Sequence, residues 1–155
     1  MSYQQTRGLL ESTTAGVLTA AGLTDIFYDN VAHVQPDASV TYAEVTVSFA
    51  SVKADTVGCP GNDNIGGSIT AYIYCPANTG SSIGEGLCFD VLSAWSSLGF
   101  TPMDVSSPFA DTKVYLSNLD GPRSVANQDR LTVGDGAVHQ LFVVTGAFTS
   151  RRITV

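Results

Sequence analysis

Residues 65–98 constrain what this chain can fold into more than any other stretch. Residues 65–75 are dense in β-branched and aromatic side chains, the composition of a pleated strand. Pro76 and Gly80 break that run, and from residue 84 the apolar period changes. Leu87, Val91, Leu92, Trp95 and Leu98 recur at three- and four-residue steps, with Glu85, Asp90, Ser93 and Ser97 on the opposite side. Glu85 falls in the first turn, where the positive end of the helix dipole favours an acid, and Gly99 ends the pattern. A strand therefore hands over to an amphipathic helix over 84–98, and the class is mixed α and β.

The flanking segments extend this reading. Residues 2–21 are expected to form a helix capped by Ser2, with Leu9, Leu10, Thr13, Val17, Leu18 and Ala21 on its apolar side and Gly22 as its stop. Residues 26–28 read as a short strand. Over 40–50 the pattern alternates: Ala43, Val45, Val47 and Phe49 share one face, and Tyr42, Glu44, Thr46 and Ser48 the other. A turn-rich loop at 55–64 joins this strand to 65–75 as a long hairpin. Further strands are expected at 113–117 and 129–133, with a turn at Gly121-Pro122 between them. Residues 138–144 and 147–154 read as a terminal hairpin about Thr145-Gly146. The expected fold is α+β, a mostly antiparallel twisted sheet with two main helices packed on one face, in a single domain over 1–155.

Charge narrows the partners. The 155 residues carry a formal net charge of −7, and charged residues are only 14% of the chain, against about 25% in an average soluble domain. Such depletion is expected where surface is buried against other subunits. Residues 1–100 hold just two bases, Arg7 and Lys53; the other five are Lys113, Arg123, Arg130, Arg151 and Arg152. No cluster of Lys and Arg in the sequence could neutralise several phosphates, which argues against direct nucleic-acid binding. No apolar run approaches the roughly 18 residues of a membrane span, and the first residues lack the apolar core of a signal peptide. Cys59, Cys75 and Cys88 have no CxxC spacing, so free structural thiols in a reducing compartment are expected, without a disulfide framework or zinc site.

Candidate chemistry is sparse. Gly80-Ser81-Ser82-Ile83-Gly84 matches the nucleophile-elbow pattern, with Asp111 or Asp120 and His139 downstream in triad order. An elbow needs the strand to run directly into the serine turn. Here residues 76–79 intervene, and a strand–helix connection is the better reading. Asn62-Asp63-Asn64 lacks the alternating ligands and distal glutamate of a calcium loop. His33 and His139 have no metal-ligand spacing, and Gly66-Gly67 leads into no phosphate-binding Lys. No catalytic, metal or cofactor site is expected.

The order of segments resembles the tail-terminator, or minor tail, proteins of long-tailed bacteriophages. The features that carry it are the N-terminal helix, Phe27-Tyr28-Asp29-Asn30, the loop with Pro36, the strand from Tyr42 to Val45, the hairpin partner opening with Gly66-Gly67, the 76–80 connection, the helix 84–98 and the terminal strand at 140–144. The similarity covers residues 2–98 and 138–153; the segment 100–135 is unlike the family and reads as an insertion. The resemblance implies a virion protein at the head-proximal end of the tail, assembled in the host cytoplasm. Its partners would be itself, as a homohexameric ring, then the tail-tube protein and the head connector, with DNA only passing through the lumen. Such a ring caps the tube and stops its polymerisation. Another tail-tube or head-closure subunit is the alternative. Loops 52–64 and 101–125 are the expected contact regions, and Lys53, Asp55, Asp63, Arg123, Arg130, Arg151 and Arg152 are the candidate interface residues. For Arg151 and Arg152 two roles are open: guarding an edge strand against aggregation, or pairing with the acidic part of a neighbouring subunit.

Overall fold

A computed structural model describes residues 2–29, 31–34, 36–37, 39–54, 63–76, 81–98, 112–124, 132–133, 136–137 and 139–152. The strand–helix unit forms as the sequence predicts. β3 spans Asp63–Pro76 and α2 spans Ser82–Ser97. Before them come α1 (Ser2–Ala20), β1 (Asp25–Tyr28) and β2 (Tyr42–Ala54); after them β4 (Thr112–Ser124), β5 (Thr132–Val133), β6 (Gly136–Ala137) and β7 (His139–Arg152). Gly22, at φ 103°, ends α1 in the left-handed turn that glycine adopts without a Cβ clash.

The main sheet has the order β1-β2-β3-β7-β4. β1 runs parallel to β2, and every other pairing in it is antiparallel. β5 and β6 make a separate two-stranded sheet. Both helices lie on one face: α1 over β2 and β3, and α2 over β3, β7 and β4. The α+β class with two helices on one sheet face is thus the architecture of the molecule.

Between the layers sits one apolar core. Ala43, Val45 and Val47 from β2 meet Ile69, Ala71 and Ile73 from β3 and Phe142, Val144 and Phe148 from β7, under Leu10 and Leu18 of α1 and Val91 and Trp95 of α2. Each large side chain buried this way contributes about 1.5–3 kcal/mol. Trp95 is fully buried, and its indole N–H donates to the Thr14 hydroxyl at 2.9 Å, which donates on to the Leu10 carbonyl at 2.8 Å. The one polar atom of the largest core side chain is satisfied, and the same bond ties α2 to α1.

Four expectations are corrected here. Residues 138–154 do not form a hairpin: β7 is one strand through Thr145-Gly146. Gly146 is there for space. A Cβ would lie 2.9 Å from Leu119, 3.1 Å from Leu116 and 3.5 Å from Trp95. Second, β7 lies between β3 and β4, so Arg151 and Arg152 do not guard an edge. Third, Gly121-Pro122 is no turn between two strands. It lies within β4, an edge strand where proline's missing N–H is tolerated, at a break in register between Asp120 and Arg123. Fourth, the expected 52–64 contact loop is partly strand: Val52, Lys53 and Ala54 pair with Ile65, Asn64 and Asp63. Residues 55–62, and 129–131 of the strand expected at 129–133, lie outside the described residues.

β1 is only four residues long and pairs with β2 no further than Val45. The free β2 edge beyond it is closed by Arg7 of α1. Arg7 Nη2 donates to the Val47 carbonyl at 3.0 Å, while Nη1 holds the Asp29 carboxylate at 3.0 Å. The guanidinium also stands 5.3 Å from the Phe49 ring centroid.

Two glycines of α2 have opposite constraints. A Cβ on Gly84 would run into the Phe142 ring, whereas one on Gly86 meets nothing within 4 Å. Gly84→Ala should lower stability by about 1–3 kcal/mol through overpacking. Gly86→Ala should raise it by up to about 1 kcal/mol through helix propensity. Urea unfolding of the two variants checks the opposite signs.

Candidate functional site

Neither helix packs on the other face of the sheet, and the register of that face is the basis of the site. Reading across the strands, Tyr42 pairs with Tyr74 and Tyr74 with Leu141; Thr46 with Thr70 and Thr70 with Thr145; Ser48 with Ser68, Ser68 with Ala147 and Ala147 with Ser117. The Thr46 and Ser48 rows on β2, β3 and β7 are therefore hydroxyl and methyl groups without charge, while the neighbouring row sets Glu44 opposite Tyr72, Tyr72 opposite Val143 and Val143 opposite Arg123. At the β4 edge, Asp120 and Arg123 pair with each other.

One end of the face is aromatic. Tyr42 and Tyr74 stack at 4.5 Å, and His139 lies edge-on to both, at 5.0 and 6.5 Å. Alternation puts Tyr42 on the polar side of β2, as expected, yet it is buried there by these neighbours. The His33 ring stacks on Phe27 at 3.9 Å, and its Nε2 stands 3.0 Å from Glu44 Oε1. His139, also buried, has Nε2 at 2.8 Å from the Val40 carbonyl. Segment 31–40 is thus pinned at both ends, by His33 on Glu44 and by Val40 on His139. Burial, and then the nearby Glu44 carboxylate that accepts its hydrogen bond, push the Tyr74 phenol far above its ordinary range. Glu44 accepts from Tyr74 and contacts His33, so its work is to hold the segment against the sheet.

At the other end the register brings basic positions together. Lys53 pairs with Asn64, Asn64 with Arg151, and Arg151 with Lys113, so three bases occupy one row across four strands. Of the candidate interface residues, the fold brings Lys53 and Arg151 into this row. Asp63 stands beside it opposite Ala54, and Arg152 opposite Thr112. Arg123, opposite Val143, is eight residues along β7 from Arg151, about 25 Å away. Asp55 and Arg130 lie outside the described residues. Lys113 is the member that the sequence did not single out. Its neighbours become visible only when β4 is placed against β7, a pairing of residues far apart in the chain.

On the helical side, α2 exposes Ile83 (53%), Phe89 (59%), Glu85 and Asp90, and contains no base. Beside Asp90, a groove of about 440 Å³ runs between the helices, lined by Val17, Ala20, Ala21, Ser93, Ala94 and Ser97. Val34, on the pinned segment, is 89% exposed. As for the serine motif, Ser81 caps α2 without a side-chain cap bond and Ser82 opens the helix. Five residues separate Ser82 from the end of β3, and the His139 Nε2 is engaged by Val40. Among the described residues no group of three or more His, Cys, Asp or Glu can hold a metal ion, and no helix is long and apolar enough to cross a membrane.

No protein-family profile matches the chain. No curated protein matches it either. Solved structures do. One chain, whose title states no activity or partner, superposes over 100% of this chain and 99% of its own length with a TM-score of 0.64 at 15% identity. That likeness is one of fold.

Cys75 and Cys88 are free and buried beneath α2. Burial pushes the Cys75 thiol up to about 11; burial, then Cys75 and Glu85, push Cys88 up to about 12. The folded state keeps both protons while the unfolded chain loses them near pH 9, so the unfolded state binds fewer protons above that pH. Stability should therefore be full below about pH 9 and fall as pH rises through about 11 to 12. Urea midpoints from pH 8 upward check this, and thiol reagents at pH 8 should reach neither cysteine before unfolding.

Proposed function

We propose that this chain is a structural subunit of a long-tailed phage virion, a tail terminator whose ring caps the tail tube and presents a face to the head connector. The observation that carries the reading is a sheet face on which no described helix packs and whose Thr46 and Ser48 rows hold no charge on β2, β3 and β7. A subunit of a closed ring needs two different flanking patches and an inward face. Turned toward a lumen, rows of Thr and Ser offer DNA phosphates no cation to bind, as suits a conduit. Supporting it is the succession of α1, β1, β2, β3 and α2, which follows the order on which the resemblance rests, with β4, β5 and β6 preceding the terminal strand β7. The low share of charged residues, 14%, suits surfaces buried between copies.

The test uses purified protein and the tail-tube protein encoded with it. Negative-stain images should show discrete six-fold rings and tubes capped at one end, with elongation arrested at one ring per tube. Open stacks of this protein would assign it to the tube instead. Protein that stays monomeric and leaves tube growth unchanged would overturn the reading.

A further inference from the structure

We propose that the ring contact is head-to-tail, with the outer face of α2 on one copy seated on the basic row of the next. The proposal rests on the assembly reading above and names the surfaces that perform it. Lys53, Arg151 and Lys113 stand in one register row with Asn64 as its neutral member and no acid in it. Like charges on directly opposed strand positions, as at Arg151 and Lys113, destabilise a sheet unless an opposite charge is supplied. The exposed face of α2 supplies that complement: Glu85 and Asp90, with Ile83 and Phe89 as apolar anchors and no base.

The two patches cannot meet within one subunit. The N-terminal half of α2 lies over Phe142, where Gly84 touches its ring, and over Cys75. Phe142 and Arg151 are nine residues apart on β7, a span of about 30 Å. By alternation from the buried Ile65, Ser150 and Val114, the positions of the row also fall on the sheet face opposite the helices. Complementary patches at opposite ends and faces of one molecule satisfy each other only between copies, in the heterologous manner that closes rings.

The experiment is a charge swap and a mixture. One variant carries E85K and D90K, so that both of its patches are basic; the other carries K113E and R151E, so that both are acidic. Work at about 0.15 M salt, where a Debye length of about 8 Å screens distant acids and spares charges in contact. Each variant alone, checked for folding by circular dichroism, should associate at least about tenfold more weakly than wild type by analytical ultracentrifugation. The equimolar mixture should recover association, in assemblies that alternate the two variants and contain them at one to one. If the strand variant folds poorly, Lys53→Glu mixed with E85K makes the same comparison. Variants that associate like wild type, or a mixture that stays dissociated, overturn the contact. Wild-type rings that cap tubes beside such a result would leave the terminator reading standing. Restored mixed assemblies that leave tubes uncapped would establish the contact and overturn that reading instead.

Discussion

The Trp95 indole is the joint on which the two layers depend. It is the largest side chain in the core, reaches from α2 into the sheet above Gly146, and donates its N–H to Thr14 of α1. Each of these contacts requires the others. A Cβ at Gly146 would crowd Leu119 and Leu116 of β4 beside the indole, and loss of the Thr14 hydroxyl would leave the N–H buried without a partner. Because Thr14 also bonds the Leu10 carbonyl, the orientation of α1 is set through the same short chain of hydrogen bonds. Arg7 and Thr6 complete the docking of α1, the first to Asp29 and the Val47 carbonyl, the second to Ser150 at 2.8 Å.

With both helices committed to one face, the other face of the sheet is left to the surroundings. Its three zones differ in chemistry: an aromatic end closed by a pinned segment, a hydroxyl-rich centre, and a basic row. The aromatic end and the exposed half of α2 share one end of the molecule, and the basic row occupies the other. The molecule is polarised along its strands, with regions of different character toward its two ends.

The strand–helix unit, the helix at 2–21 and the alternating faces of β2 were legible because their periodicities are local and unambiguous. The errors share one cause. Thr145-Gly146 and Gly121-Pro122 carry turn chemistry, and a sequence cannot distinguish a glycine needed for a turn from one needed for room. Gly146 yields space to Leu119 and Leu116, some thirty residues earlier in the chain, and Gly121, at φ 129°, lies in an irregular stretch of β4. Once the supposed terminal hairpin becomes one strand, β7 moves inside the sheet and Arg151 acquires Lys113 and Asn64 as neighbours. The candidate surface was thus half visible: the charges could be named, but not the row they form.

By itself the sequence determined the class of the fold, the identity of its two principal helices and the faces of its central hairpin. Hydrophobic period is a property of neighbouring residues, and it survives without knowledge of anything distant. Only the tertiary structure decided the strand order, the course of β7, the burial of Tyr42 and His139, and the gathering of Lys53, Lys113 and Arg151 into one line. Those outcomes depend on which strands pair, and pairing is selected by the packing of side chains that meet only when the whole sheet is assembled.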